Sequence, residues 1–301
     1  MATDNMDEMD AADEIVIRKQ KAPEQKTGIT VDGILRTAAD ALEALRAKKP
    51  LIHCMTNLGA SNFTANALLA LGASPAMVED VGEVSQFAKI ADSLLVNLGT
   101  VTKLQSEAMR AAVSQSNLGG RPWVLDPAGV GMLPLRTFVA KELMRRFPAI
   151  IRGNASEIAF LGGNEQATVR GMESTLTSEE VTPLAVRLAG VTRAAVVLSG
   201  AVDYIAVEGA PIVGIENSTP MMSRVAGTGS VQGALASAFL GTLGAKARWE
   251  AALAASLVSK IAGELAAKKA TAPGSFYVDY LDALDAITPD DVLKMGRVKI
   301  S

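Results

Sequence analysis

Short apolar runs, often β-branched, alternate along this chain with amphipathic stretches. They occur at residues 93–98, 123–125, 149–151 and 194–198, each followed by a polar turn and then a helical pattern. A strand that is apolar throughout has to be covered on both faces, and strands alternating with helices connect by crossovers that make them parallel. The pattern predicts an α/β fold with a mainly parallel central sheet. Two further runs, 204–207 and 211–215, flank Glu208-Gly209-Ala210 and predict an antiparallel hairpin at one sheet edge. Residues 31–48 carry Ile34, Leu35, Ala38, Ala41, Leu42 and Leu45 at helical spacing, and residues 230–284 read as almost entirely helical.

Residues 1–28 are polar and charged with little periodicity, which predicts a disordered acidic extension ahead of a single domain over 29–301. Hydrophobic residues make up 49% of the 301, enough for a full core, while aromatics are only 4%; this suits helices packed closely on a sheet. The start of the chain is acidic and lacks an apolar core, so neither a secretory nor a mitochondrial targeting peptide is expected, and the expected location is cytoplasmic. A net charge of −3 with scattered basic residues argues against nucleic acid or an anionic membrane as partner. One cysteine, Cys54, excludes an internal disulfide and a cysteine-built zinc site; one histidine, His53, excludes any mechanism needing two.

In open parallel sheets ligands sit beyond the C-terminal ends of the strands. The polar residues at those positions are Asn97, Asp126, Arg152 with Asn154 and Glu157, and Ser199 with Gly200. They suit a nucleotide and magnesium better than hydrolytic or redox chemistry. Gly227-Thr228-Gly229-Ser230 opens a long apolar run, so unpaired backbone N–H groups and the positive helix end should meet there, with Ser230 at the first helical position. That is a phosphate site. Asp126 in Asp126-Pro127-Ala128-Gly129-Val130-Gly131 can hold a hydrated Mg²⁺ or cap the next turn. Arg152 can fork onto phosphate oxygens. Asn154 and Glu157 can be helix caps, but capping does not account for an arginine whose charge opposes a helix N-terminus unless an anion is present. The stretch from His53 to Asn66 is dense in amides and hydroxyls, which serve either as caps and turns or as hydrogen bonds to a small heterocycle or alcohol. His53 reads as a packed strand-end histidine, Cys54 as a buried small residue, and Trp123 and Trp249 as core or interface.

Over roughly residues 31–290 the chain resembles the hydroxyethylthiazole kinase family of the ribokinase-like fold. The likeness rests on His53 with Thr56-Asn57, Asn62-Phe63-Thr64-Ala65-Asn66, the run from Leu68 to Pro75 with Met77, Asp126-Pro127 with Gly129-Val130-Gly131, Arg152 to Glu157, and Gly227-Thr228-Gly229. The resemblance implies a three-layer α/β/α kinase that phosphorylates the hydroxyethyl group of 4-methyl-5-(2-hydroxyethyl)thiazole with ATP and Mg²⁺, as a homotrimer with active sites at subunit boundaries. It implies thiazole contacts from Met77, Gly227 and Asn57, ATP contacts from Arg152 and Ser199, and Mg²⁺ near Asp126 and Glu157. Asn154 is counted with the ATP group, and the Gly227–Ser230 amides with the moving phosphoryl group. The family usually has cysteine where this chain has Ser230, and threonine at Ser199. A serine is a poor general base, so the alternatives are another small-alcohol kinase or a weakened thiazole- or ATP-binding homologue.

Overall fold

The computed structural model describes residues 28–164 and 176–301; the extension expected over 1–28 lies outside the described residues except for Gly28. Helix α1 (Val31–Lys48) starts where the Thr30 hydroxyl accepts from the Gly33 N–H at 3.1 Å, and stops at Lys49 in the left-handed region, as its apolar spacing predicts. There follow β1 (Leu51–Met55), α2 (Ser61–Leu71), β2 (Ser74–Ala76), α3 (Val84–Ile90), β3 (Ser93–Asn97), α4 (Lys103–Leu118), β4 (Trp123–Asp126), α5 (Pro134–Met144), β5 (Ile150–Asn154), α6 (Ala155–Leu161), α7 (Ser178–Thr192) and β6 (Ala195–Ser199). These strands pair in parallel in the order β2-β1-β3-β4-β5-β6. The chain then runs through β7 (Asp203–Ala206), β8 (Val213–Ile215), α8 (Thr228–Leu243), α9 (Arg248–Ala267), α10 (Pro273–Ala286), α11 (Pro289–Met295) and β9 (Val298–Ile300).

Strands β7, β8 and β9 extend the sheet antiparallel beyond β6. The hairpin expected at the edge is therefore one strand in from it. Val298-Lys299-Ile300 is too short to register as an apolar run, and its Lys299 ammonium lies 5.1 Å from the centre of the Tyr204 ring.

The strand period divides the sheet into two cores. In β3, Leu95 joins α1, α2 and α8 to α11, while Leu94 and Val96 join residues of α3 to α7. In β6, Ala195 and Val197 face the first layer, Val196 and Leu198 the second. Full burial of one such Val or Leu contributes about 1.5–3 kcal/mol. Helices α8 and α9 are apolar on nearly all sides and correspondingly buried in the first layer.

Small residues let α8 lie close across the sheet. A Cβ on Gly233 would stand 3.2 Å from Asp126 Oδ2, and one on Gly241 would stand 3.1 Å from Ser93 Cβ. Asp126 ends β4 and Ser93 begins β3, so α8 runs antiparallel to the strands with its N-terminus over their C-terminal ends. The connections from β1 pass to β2 on one side and on to β3 on the other. That divergence opens a crevice where Asn57 and Asn97 stand. Among the described residues no helix is long and apolar enough to cross a membrane.

Candidate active site

Gly227 is the N-cap of α8 with φ of 96°, a conformation costly for other residues, and among the described residues no side chain caps the helix. A Cβ there would also stand 3.1 Å from Ala60 Cβ. Helical geometry begins at Thr228, so Ser230 is the third helical residue and not the first as expected; its N–H remains among the four with no intrahelical acceptor. The Thr228 hydroxyl is used inward, donating to Met222 O at 2.7 Å, so this residue presents only its backbone amide to a ligand.

Arg152, on β5, lies against that helix start. A Cβ on Gly229 would be 2.9 Å from both Nη1 and Nη2, so only glycine lets the guanidinium pack so closely there. Nη2 donates to Ser199 Oγ at 2.8 Å and Nε to Gln232 Oε1 at 3.1 Å; Nη1 stands 3.7 Å from Asp126 Oδ2. The side chain is 13% exposed. A guanidinium beside a positive helix end is unfavourable without an anion. Arg152, Asn154, Ser199, Gly229 and Gln232 line a cleft of about 420 Å³. A larger open cleft of about 590 Å³ adjoins it at Ser218–Pro220, but the charged pair there, Glu264 and Arg297, is already mutually engaged.

A chain of amides meets Ser230. The Gly99 N–H donates to Asn97 Oδ1 at 2.9 Å, which fixes which way that amide points, because a backbone N–H can only donate. Asn97 Nδ2 therefore donates to Asp126 Oδ2 at 2.7 Å and, more weakly, to Ser230 Oγ at 3.3 Å. Asn57 Nδ2 donates to Asn97 Oδ1 at 3.0 Å and to Ser230 Oγ at 2.9 Å. Ser230 thus accepts twice, leaving its own hydrogen for a ligand. Gly99 makes the approach possible, since a Cβ would fall 2.7 Å from Asn57 Cβ.

Asp126 is buried, and its Oδ1 has no hydrogen-bond partner among the described residues. Burial pushes its carboxyl up to about 7; Arg152 and the Asn97 hydrogen bond pull it down, while Glu157 pushes it further up. Glu157 accepts from the Gly129 N–H at 2.9 Å and from the Asn154 N–H at 2.8 Å, and Asn154 Oδ1 accepts from the Glu157 N–H at 3.0 Å. Asn154 and Glu157 therefore form a reciprocal cap on α6, and Asn154 keeps only its Nδ2 for a ligand. Two carboxylates, one with an unsatisfied buried oxygen, suit a largely hydrated Mg²⁺. No group of three or more metal-ligating side chains occurs among the described residues.

The structure thus unites Asn57, Asp126, Arg152, Ser199 and Ser230 by hydrogen bonds and one ion pair, with Asn154 and Glu157 beside them. Met77 directly follows edge strand β2 at the same C-terminal edge of the sheet, beside β1, and is half-buried against the first core layer. His53 lies mid-strand rather than at a strand end. It is buried edge-on to Phe87 at 5.1 Å, its Nε2 donates to Val78 O at 2.8 Å, and burial lowers its pKa. Cys54 and Trp123 are core residues. The sequence reading missed Gln232, Asp203 and Lys260. The available signal was a glutamine near the start of α8 and a single charge within Ala251 to Gly263 of α9.

Residues 42–290 match the profile of the hydroxyethylthiazole kinase family. The hydroxyethylthiazole kinase of Granulibacter bethesdensis is 47% identical over 246 residues, 82% of this chain and 88% of its own. The structure of a hydroxyethylthiazole kinase protein from Pyrococcus horikoshii superposes with a TM-score of 0.80 at 33% identity, covering 88% of this chain and 98% of that one. A ribokinase-like superfamily protein from Enterococcus faecalis, with a TM-score of 0.59 at 12% identity over 86% of this chain and 96% of its own, shares the fold.

Proposed function

Because the chain belongs to the hydroxyethylthiazole kinase family, we propose that it transfers the γ-phosphoryl group of ATP to the hydroxyl of 4-methyl-5-(2-hydroxyethyl)thiazole, a salvage step toward thiamine. The observation that carries the phosphate half of this reading is the Arg152 guanidinium packed on the uncapped start of α8 over Gly229. Two positive features meet there, and an anionic ligand stabilises both.

The cleft beside Ser199 takes the triphosphate, with Arg152 and the free amides of Thr228, Gly229 and Ser230 facing the phosphoryl group as it moves. Asp126 and Glu157 would hold Mg²⁺ through its water, Asp126 Oδ1 being the unsatisfied oxygen available to it. When bound, the ion neutralises charge on the phosphate oxygens. Ser230, accepting from Asn57 and Asn97, donates to the alcohol oxygen and so orients it without removing its proton. The new O–P bond forms as the bond from the γ-phosphorus to the β,γ-bridging oxygen breaks, and the alcohol proton leaves with the phosphoryl oxygens or water. A loose transition state tolerates the absence of a strong base, because positioning and charge neutralisation do most of the catalysis.

Met77, Gly227 and Asn57 contact the thiazole in this reading. Assembly is a homotrimer in the cytoplasm. Leu58, next to Asn57 in the chain, is 76% exposed, which fits a site completed by a neighbouring subunit. The test is ADP release coupled to NADH oxidation, with the thiazole alcohol and with its 5-ethyl analogue lacking the hydroxyl. Release that depends on the alcohol and is absent with the analogue is expected. ADP formation indifferent to the alcohol would remove the claim.

A further inference from the structure

Lys260 is the single charged residue within the stretch Ala251 to Gly263 of α9. Its side chain is only 7% exposed, yet it lines the same cleft as Arg152 and Ser199. Its ammonium is surrounded by oxygens. Nζ donates to Gly200 O at 2.5 Å and to Ala201 O at 3.4 Å, and lies 3.0 Å from Asp203 Oδ1. Asp203 is fully buried and accepts in turn from the Gly200 N–H at 3.0 Å.

The second oxygen of Asp203 accepts from Gln232 Nε2. That bond sets the orientation of the Gln232 amide, since its NH₂ group must face the carboxylate and the Ser256 hydroxyl. Gln232 Oε1 is therefore left to accept from Arg152 Nε. The buried ammonium, carboxylate and amide form one continuous relay of orientation from α9 to the guanidinium. The same ammonium clamps the Gly200–Ala201 turn directly after Ser199.

We propose that Lys260 is a positioning residue for the nucleotide: its ammonium acts as a built-in cation that orders the Gly200–Ala201 turn and, through Asp203 and Gln232, aims Arg152 at the phosphates. The proposal rests on the reading that this cleft receives ATP. Gly200, Ala201 and Asp203 supply oxygens suited to a monovalent cation of ammonium size, so the position can be emptied and refilled. Lys260 need not touch ATP to act in this way.

The experiment compares wild type with Lys260→Ala by steady-state kinetics, with ammonium chloride added and with sodium chloride at matched ionic strength. Lys260→Ala is expected to raise the KM for ATP about tenfold, as for loss of a charge-assisted contact. The KM for the alcohol should be unchanged, and ammonium but not sodium should restore the ATP value. An ATP KM equal to wild type, or a deficit that ammonium leaves untouched, overturns the proposal. Removing the lysine alone strands a buried carboxylate, which can prevent folding. The double variant Lys260→Met with Asp203→Asn removes both charges and keeps the test alive: a raised ATP KM with no ammonium response is expected, and an unaltered KM overturns the proposal. Wild type inactive with ATP would instead count against the kinase reading itself.

Discussion

One backbone N–H decides the polarity of the reaction centre. Gly99 turns the Asn97 amide, Asn97 turns Asn57, and together they make Ser230 an acceptor twice over, with its own hydrogen left for the alcohol in the proposed reaction. A carboxylate at position 230 would keep both amide bonds and add a base, so Ser230→Asp is expected to raise kcat by about 10–100-fold, and Ser230→Cys by less. Steady-state turnover checks this, and two slower variants would show that serine has a different role. Asp126 makes a second case. Its folded carboxyl titrates near 7 against 3.8 ordinarily, so between those values the folded protein holds a proton that the unfolded chain has released. Stability conferred by that proton is fully present below pH 4 and lost as pH rises to 7. Asp126→Asn is therefore expected to raise Tm by about a few degrees at pH 8 and by less at pH 5, while lowering turnover. Melting curves at the two pH values test it; a gain no larger at pH 8 than at pH 5 would contradict it.

Between elements, α8 packs closely because its glycines bring its first turn to Arg152 and its second to Asp126. Gly229→Ala pushes against the end of a flexible side chain, whereas Gly227→Ala combines a positive φ with a methyl against Ala60. The first change is expected to raise the KM for ATP about tenfold with Tm within about 2 °C of wild type. The second should lower stability by about 1–3 kcal/mol, read by denaturant melts. Equal effects of the two on Tm would mean that Arg152 is as rigid as backbone. Much at this scale was legible in the sequence. Apolar runs placed β3, β4 and β6 to within one residue at each boundary, because a strand buried on both faces has an unmistakable composition, whereas β5 runs three residues past its apolar run into the polar Arg152-Gly153-Asn154. The start of α8 was set two residues late, since Thr228 and Gly229 read as loop when taken singly. Strand β9 went unseen, because three residues with a central lysine gain their strand character only from β8 beside them.

At the scale of the whole molecule, the strand order gathers Asn57, Asn97, Asp126 and Ser199 at one side of the sheet, although they are scattered over more than 140 positions of sequence. Strand-end positions alone revealed most of these residues. Gln232 and Lys260 left only an isolated glutamine and a lone charge as signals and Asp203 left none, because their importance comes from contacts among α8, β7 and α9 that no local pattern records. If assembly as a trimer completes the site, Leu58→Asp is expected to yield monomers in sedimentation and to cut turnover by about tenfold or more. Monomers of full activity would separate assembly from catalysis. The Thr228 hydroxyl has an effect that reaches past its own helix. By bonding to Met222 O and Val225 O it ties the start of α8 to the segment that walls the cleft. On the proposed function, occupation of the cleft by nucleotide and quieting of that wall are linked, each favouring the other by the same factor. Slower deuterium uptake across residues 219–226 on ATP addition, lost in Thr228→Val, would be the visible trace of that coupling.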